Sequence, residues 1–241
     1  MHLPPSHCTK WKTPLVLGVA RVDEQSRIRE FVEKPRIADA SSKLVNAGVY
    51  LMEPEVVDRI ATGRRVIIER EVFPGLASEG KLFGYTHSGV WYDIGNISDF
   101  RRANFALLEN RASGRVIIGQ DASIAASAQF THPALVSNQA TVEDGANLGP
   151  RAIIGRRTCV RKNAKVSETI VFDDAEIGSN SSIDGAVVGN SVSIGKDVVI
   201  QPGSIIAGHA SIRDGICITC DVYVHPYKEI DKDILAPGHV V

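Results

Sequence analysis

Aromatic residues are scarce in this chain. Phe, Trp and Tyr make up 6% of 241 residues, and most of them precede residue 131. The second half must therefore build its core from aliphatic side chains. Excess charge of either sign is also missing. A net charge of −1 excludes broad electrostatic attraction to nucleic acid or to an anionic membrane. Cysteine is sparse as well. Cys8, Cys159, Cys217 and Cys220 are too few and too scattered for a disulfide framework, and they suit a reducing cytosol, so a cytoplasmic protein is expected. No apolar run reaches the roughly 18 residues needed to span a bilayer. The opening MHLPPSHCTKWK lacks the apolar centre of a signal peptide. No glycine-rich strand–turn–helix unit is present to cradle phosphates.

What is present is a rhythm. Apolar residues return every six positions at Ile118, Ile124, Phe130, Val136, Val142, Leu148, Ile154, Val160, Val166 and Phe172. The count slips by one to Ile177 and runs on to Ile183. It slips again to Val188, then holds at Ile194, Ile200, Ile206, Ile212, Ile218, Val224 and Ile230. The position two before each is usually small, as in Ala122, Ala128, Ala134, Ala140, Ala146 and Ala152. A period of six matches neither the 3.6 of a helix nor simple alternation. It describes short strands joined by regular turns, each a copy of the last, which is a solenoid. The small position is expected at a tight corner where a larger side chain would overpack. The ends of such a prism expose sheet edges. A helix at Ser98–Arg111 is expected to cover the first, and the tail KEIDKDILAPGHVV to end the other. Its flat faces suit self-association.

Ahead of the rhythm the chain is mixed. Residues 1–13 read as a loose tail. LVLGVARVD and IREFVEK, joined by EQSR, read as a hairpin ending at Pro35. KPRIADASSK is polar and loop-like. LVNAGVYLM is a short apolar run, expected as a buried strand. PEVVDRIA opens a helix at Pro54. EREVFPGLASEG reads as a short helix broken by Pro74, and LFGYTHSGVWYDIG as strand. Ser98 is the expected N-cap of a helix running to Arg111 and ended by Gly114.

Three segments carry a resemblance: Phe31-Val32-Glu33-Lys34-Pro35, Val45-Asn46-Ala47-Gly48-Val49-Tyr50, and Val90-Trp91-Tyr92-Asp93-Ile94-Gly95-Asn96. With IIEREVFPGLASEGKLFGY between the last two, they resemble the second half of the sugar-phosphate nucleotidyltransferase family, particularly its mannose-1-phosphate guanylyltransferase-like members. The family makes nucleotide-sugars from a nucleoside triphosphate and a sugar 1-phosphate. The resemblance covers residues from about 16 to 112. It implies a partial α/β nucleotidyltransferase domain over 14–112, followed over 113–241 by a left-handed parallel β-helix of hexapeptide repeats. The left hand comes from the resemblance, since ordinary parallel crossovers are right-handed.

The resemblance also implies roles. Glu33 matches the carboxylate that hydrogen-bonds sugar hydroxyls. Lys34 matches the lysine on the sugar phosphate, a task suited to a compact ammonium. Asn46 and Gly48 match the sugar-lining strand, where a glycine lets the ligand approach the backbone. Asp93 matches one of two aspartates that hold Mg2+, which would neutralise the triphosphate and position the attack on phosphorus. The family's GGxGxRLxPLT-type nucleotide loop and the partner aspartate do not occur in this sequence. As written, the chain is expected to bind no nucleotide by the family's route and to be inactive alone.

Plainer readings stand beside these. Glu33-Lys34 could be charges at a strand end, Asp93 a turn residue before Gly95, and Asn46 a partner for buried backbone. Cys217-Ile218-Thr219-Cys220 lies on the six-residue rhythm and has no second pair to complete a zinc site, so packing thiols are expected. His132, His209 and His225 raise acyl transfer, which many hexapeptide solenoids perform. The near-unbroken rhythm lacks the insertions of those enzymes. Two readings lead, with solenoid acyl transfer a distant third. One is a nucleotidyltransferase acting on a sugar 1-phosphate or nucleotide-sugar whose front half lies elsewhere. The other is a non-catalytic oligomerisation or regulatory subunit that joins copies of itself, or a full-length relative, through the solenoid.

Overall fold

A computed structural model describes residues 18–36 and 42–241. The expected tail at 1–13, Cys8, and most of the polar loop after Pro35 lie outside the described residues. The chain divides into two compact units, Met1–Trp91 and Tyr92–Val241.

In the first unit, β1 (Val19–Val22) and β2 (Ile28–Val32) form the expected antiparallel hairpin, with Val19 opposite Val32 and a bulge at Arg21/Val22. Asp23 shapes the turn. Its carboxylate accepts from the backbone N–H groups of Arg27 and Gln25 and from the Arg29 guanidinium, and the Arg27 bond leads in lowering its pKa. A short β3 (Leu44–Val45) adds antiparallel to the other side of β1. A 3-10 helix at Pro54–Arg59 follows, then α1 (Ile68–Glu71) and α2 (Phe73–Ser78). Pro54 and Pro74 both sit in first turns, where the missing N–H costs nothing. Pro74 thus divides α1 from α2, as expected. Ala20, Ile28 and Phe31 of the hairpin bury themselves against Val72, Phe73, Leu76 and Ala77. The Phe31 and Phe73 rings meet edge to face at 5.4 Å.

Two strand expectations fail here. LVNAGVYLM supplies only Leu44–Val45, because the Asn46 carboxamide accepts the Gly48 N–H and Gly48 takes φ +72, which turns the chain. Val49 and Leu51 then stand 86% and 102% exposed, the opposite of a buried strand. LFGYTHSGVWYDIG touches the hairpin turn through single bonds at Leu82 and Gly84 and one bridge at Phe83. Beyond Gly84 it has no ladder partner among the described residues.

The second unit opens with α3 (Ile97–Ala112). Its cap is Asn96, whose side-chain oxygen accepts the Asp99 N–H at 2.8 Å, and the expected cap Ser98 lies inside the first turn. Asparagine two residues earlier satisfies the same orphan donors. Ser113 and Gly114 end the helix with φ +47 and +76.

The solenoid then runs to the C-terminus as three parallel sheets of 8, 7 and 6 short strands. Ladders of inward residues stack coil on coil, as in Val136, Ile154, Val171 and Val188. Leu148, Ile154, Ile177, Ile183, Ile194, Ile200, Ile206 and Ile218 are wholly buried. Corner residues take the left-handed conformation, and three of them form a polar stack. The Asn163 amide donates to Asn180, and the Asn180 amide to Asp197 at 3.0 Å.

Three details depart from expectation. First, Phe172 is not an inward site. Val171 fills that position at 1% exposure, so the first slip is the five-residue step from Val166 to Val171, and Phe172 turns outward onto the Phe100 ring of α3. Second, the corner position is not always small. Val192, Val198, Ile216 and Val222 occupy it in the later coils and are buried. Where Thr158, Thr169, Ser181 and Ser204 occupy it, each buried hydroxyl donates to a backbone carbonyl. Third, α3 packs beside the strand Ala134–Val136 and against Phe172 instead of capping the first coil. Ile118 in that coil is 52% exposed. The tail, by contrast, does extend the far end, with Gly238–Val240 pairing on Val222–Val224.

The corrected register is testable by denaturation. Val171→Ala should cost about 2 kcal/mol through lost methyl burial and a residual cavity. Phe172→Ala should cost only about 1 kcal/mol, the worth of one aromatic contact. The reverse order would restore Phe172 as the inward site.

Candidate functional site

Four polar side chains of the first unit converge beside the hairpin. Asn46 follows directly on β3, and its backbone N–H donates to the Gly18 carbonyl at 2.8 Å, which fixes where its side chain starts. That side chain works twice. Its oxygen accepts the Gly48 N–H at 3.0 Å, and its amide donates to the Tyr50 hydroxyl at 2.6 Å. The Tyr50 hydroxyl in turn donates to Glu69 Oε1 at 3.1 Å, from α1. The Tyr50 ring packs edge to face on Phe73 at 5.0 Å, which anchors the whole chain of bonds to the apolar core.

Glu33 leaves the end of β2 and belongs to the same neighbourhood. Its Oε2 would lie 2.7 Å from a Cβ placed on Gly18, so the carboxylate lies directly against the residue that leads into β1. Its charge is also felt at Tyr50. Burial pushes the phenol pKa up, Asn46 opposes this, and the Glu69 and Glu33 carboxylates add to the rise. Lys34 follows with φ +51 and an exposed side chain. At Gly48 nothing lies within 4 Å of an added Cβ, so the residue is required there for its positive φ and not for close approach of neighbouring protein. Trp91 donates its indole N–H to the Ala47 carbonyl at 3.1 Å and steadies the same turn.

The structure thus brings Glu33, Asn46 and Gly48 together with Tyr50 and Glu69. The last two were not picked out from the sequence as site residues. Tyr50 closes the segment Val45–Tyr50 and Glu69 lies within the IIEREV run, but only the folded chain shows that they meet.

Asp93 belongs to the second unit. It is exposed, and its Oδ1 accepts the Gly95 N–H at 3.0 Å, the geometry of a turn-shaping aspartate. Among the described residues no group of three His, Cys, Asp or Glu side chains converges as a metal site. Cys159, Cys217 and Cys220 are free thiols. His209 stacks face to face on Tyr227 at 4.7 Å. No helix of the described residues is long and apolar enough to cross a membrane.

The Tyr50 environment has a pH signature. A folded pKa raised above the unfolded value makes the folded state hold this proton longer, so its contribution to stability falls as pH rises past about 10. Subtracting the tyrosinate absorbance titration of Tyr50→Phe from that of the parent should isolate a phenol that ionises above pH 10. A difference curve centred at or below 10 would contradict the partly desolvated, carboxylate-facing position.

Known proteins share this arrangement of segments. The family model for nucleotidyl transferase matches residues 7–110, and that for the GMPPB C-terminal domain matches residues 130–240. A probable mannose-1-phosphate guanylyltransferase 2 of Oryza sativa is 30% identical over 97% of this chain and 62% of its own length. The mannose-1-phosphate guanylyltransferase of Mycobacterium tuberculosis is 32% identical over 78% of this chain and 45% of its own. The chain therefore spans about three-fifths or less of the length of these relatives. Among solved structures, a UDP-N-acetylglucosamine acyltransferase from Bacteroides fragilis matches 49% of this chain and 64% of that one at 13% identity, with a TM-score of 0.36, a likeness too slight to bear on function. Between them the two family models account for both the mixed first part and the solenoid, and the chain belongs to the sugar-phosphate nucleotidyltransferase family, in the form that ends in a parallel β-helix.

Proposed function

We propose that this chain carries the sugar-phosphate side of a nucleotidyltransferase site, acting in the transfer of a guanylyl group to mannose 1-phosphate. One observation carries the reading. Glu33, Asn46 and Gly48, matched to the family's sugar-binding segments, share one neighbourhood in which Tyr50 and Glu69 hold the Asn46 side chain in place. In this reading Glu33 accepts hydrogen bonds from sugar hydroxyls and Lys34 sets its ammonium against the phosphate. Asn46 and the Gly48 turn line the sugar. Together these groups orient the sugar phosphate as a nucleophile, and orientation supplies much of the catalysis in phosphoryl transfer. The division follows the family pattern, with a partial catalytic domain over 14–112 and the solenoid over 113–241.

The family resemblance implies a divalent metal, with Asp93 as a ligand. The residues present do not fit one by themselves. Among the described residues Asp93 is a lone carboxylate with one oxygen already engaged, and Mg2+ held by protein needs further oxygen ligands. The same openness favours a second reading, a non-catalytic partner that retains sugar-phosphate recognition and assembles with copies of itself or with a full-length relative in the cytoplasm.

One experiment separates them. The 241-residue chain, mixed with a polypeptide bearing the GGxGxRLxPLT-type front half, is assayed for pyrophosphate release from GTP and mannose 1-phosphate with Mg2+. The catalytic reading expects release only in the mixture, and a loss of roughly 100-fold in kcat/KM on Glu33→Ala. The chain releasing pyrophosphate alone would overturn the incomplete-site account, and a silent mixture would favour the non-catalytic partner. Solution mass should correspond to more than one chain, since the flat faces of a solenoid suit self-association. A monomeric mass would remove assembly from the proposal.

A further inference from the structure

Two imidazoles meet at the far end of the solenoid. His225 follows the strand Val222–Val224, and His239 is the middle residue of the last strand, Gly238–Val240. These strands pair in parallel, and the His225 N–H donates to the Val240 carbonyl at 3.0 Å, so the backbone holds the two residues on adjacent coils. His225 Nε2 stands 3.3 Å from His239 Nδ1. Tyr223, opposite His239 in the ladder, walls the pair with its ring, 4.7 Å from one imidazole and 5.1 Å from the other. His225 is half-buried and His239 exposed, so the pair is open to solvent on one side.

The spacing has two chemical meanings. It is a hydrogen bond when one facing nitrogen carries a proton. It is also the separation of two nitrogens on one tetrahedral Zn2+, which at roughly 2.0–2.1 Å from each stand about 3.3 Å apart. Neutral imidazole is the favoured ligand of such borderline-soft ions. We infer that His225 Nε2 and His239 Nδ1 form a two-histidine site for Zn2+ or a similar divalent transition metal, pinning the last strand to the coil beneath it. On binding, both facing nitrogens present lone pairs. The proton between them moves to the remote nitrogen of its own ring, so neutral imidazoles release none. Two coordination positions stay open to water. The site is separate from the first unit's polar cluster, and its success or failure leaves the proposed function untouched.

The gain is structural. The Gly238–Val240 strand is the outermost of its sheet, paired on one side only, and such edges fray first. A metal bridging two coils adds a link that an unfolded chain cannot match, and so stabilises by mass action.

The test uses the full chain stripped of metal with a chelator and titrated with Zn2+. Calorimetry should give one ion per chain, and hydrogen exchange at the amides of 238–240 should slow on binding. His225→Ala and His239→Ala should each lose roughly tenfold or more in affinity, together with that protection. His209→Ala, which removes a solenoid imidazole outside the pair, should change neither. Metal-free melting curves matching the parent's show that the variants fold. Binding retained in the His225→Ala/His239→Ala double variant, or no binding up to about 1 mM Zn2+, would overturn the site.

Discussion

The second unit depends on one constraint, the stacking of inward aliphatic side chains from coil to coil. Each strand is only two or three residues long, far too short to be stable by itself. What holds it is the ladder above and below, in which Ile154 lies on Val136 and under Val171. Register follows from this in strands such as Thr141–Val142 and Glu176–Ile177, where a slip of one residue would turn a polar side chain into the core. The two five-residue steps show the tolerance of the scheme. The loop shortens at a corner while the inward ladder is kept, and a residue such as Phe172 is released to the outside. Buried hydroxyls at Thr158, Thr169, Ser181 and Ser204 fit the same corners because each finds a carbonyl.

The first unit has no such repeated support. Its core is the contact of a three-stranded sheet with two short helices, centred on Phe31, Phe73 and Leu76. Around that core much apolar surface is exposed, including Val49, Leu51 and Tyr85. The polar cluster at Glu33, Asn46, Tyr50 and Glu69 is nevertheless ordered by its own bonds. Site side chains fixed by packing and by neighbouring hydrogen bonds are the ones suited to orient a substrate.

The solenoid was legible because its signal repeats. Twenty sites on one period leave little room for another fold, and only local counts, such as Phe172 for Val171, needed the folded ladder. Capping was less legible, since Asn96 and Ser98 both offer a suitable oxygen and the choice rests on where the first turn starts. The strand readings at Leu44–Met52 and Leu82–Gly95 failed for a physical reason. Apolar runs resemble strands whether or not a neighbour covers them, and the Asn46–Gly48 turn stops the first one. The site was half legible. Family segments point to Glu33, Lys34, Asn46, Gly48 and Asp93, but contacts between distant residues, such as Tyr50 with Glu69, leave no local trace.

The central claim is that the neighbourhood of Glu33 and Asn46 recognises a sugar phosphate. Backbone amide shifts recorded by NMR during titration with mannose 1-phosphate test it directly. The account predicts saturable shifts at Lys34, Asn46, Gly48 and Tyr50 that disappear in Glu33→Ala. Shifts absent from these amides, or confined to the solenoid, would contradict it.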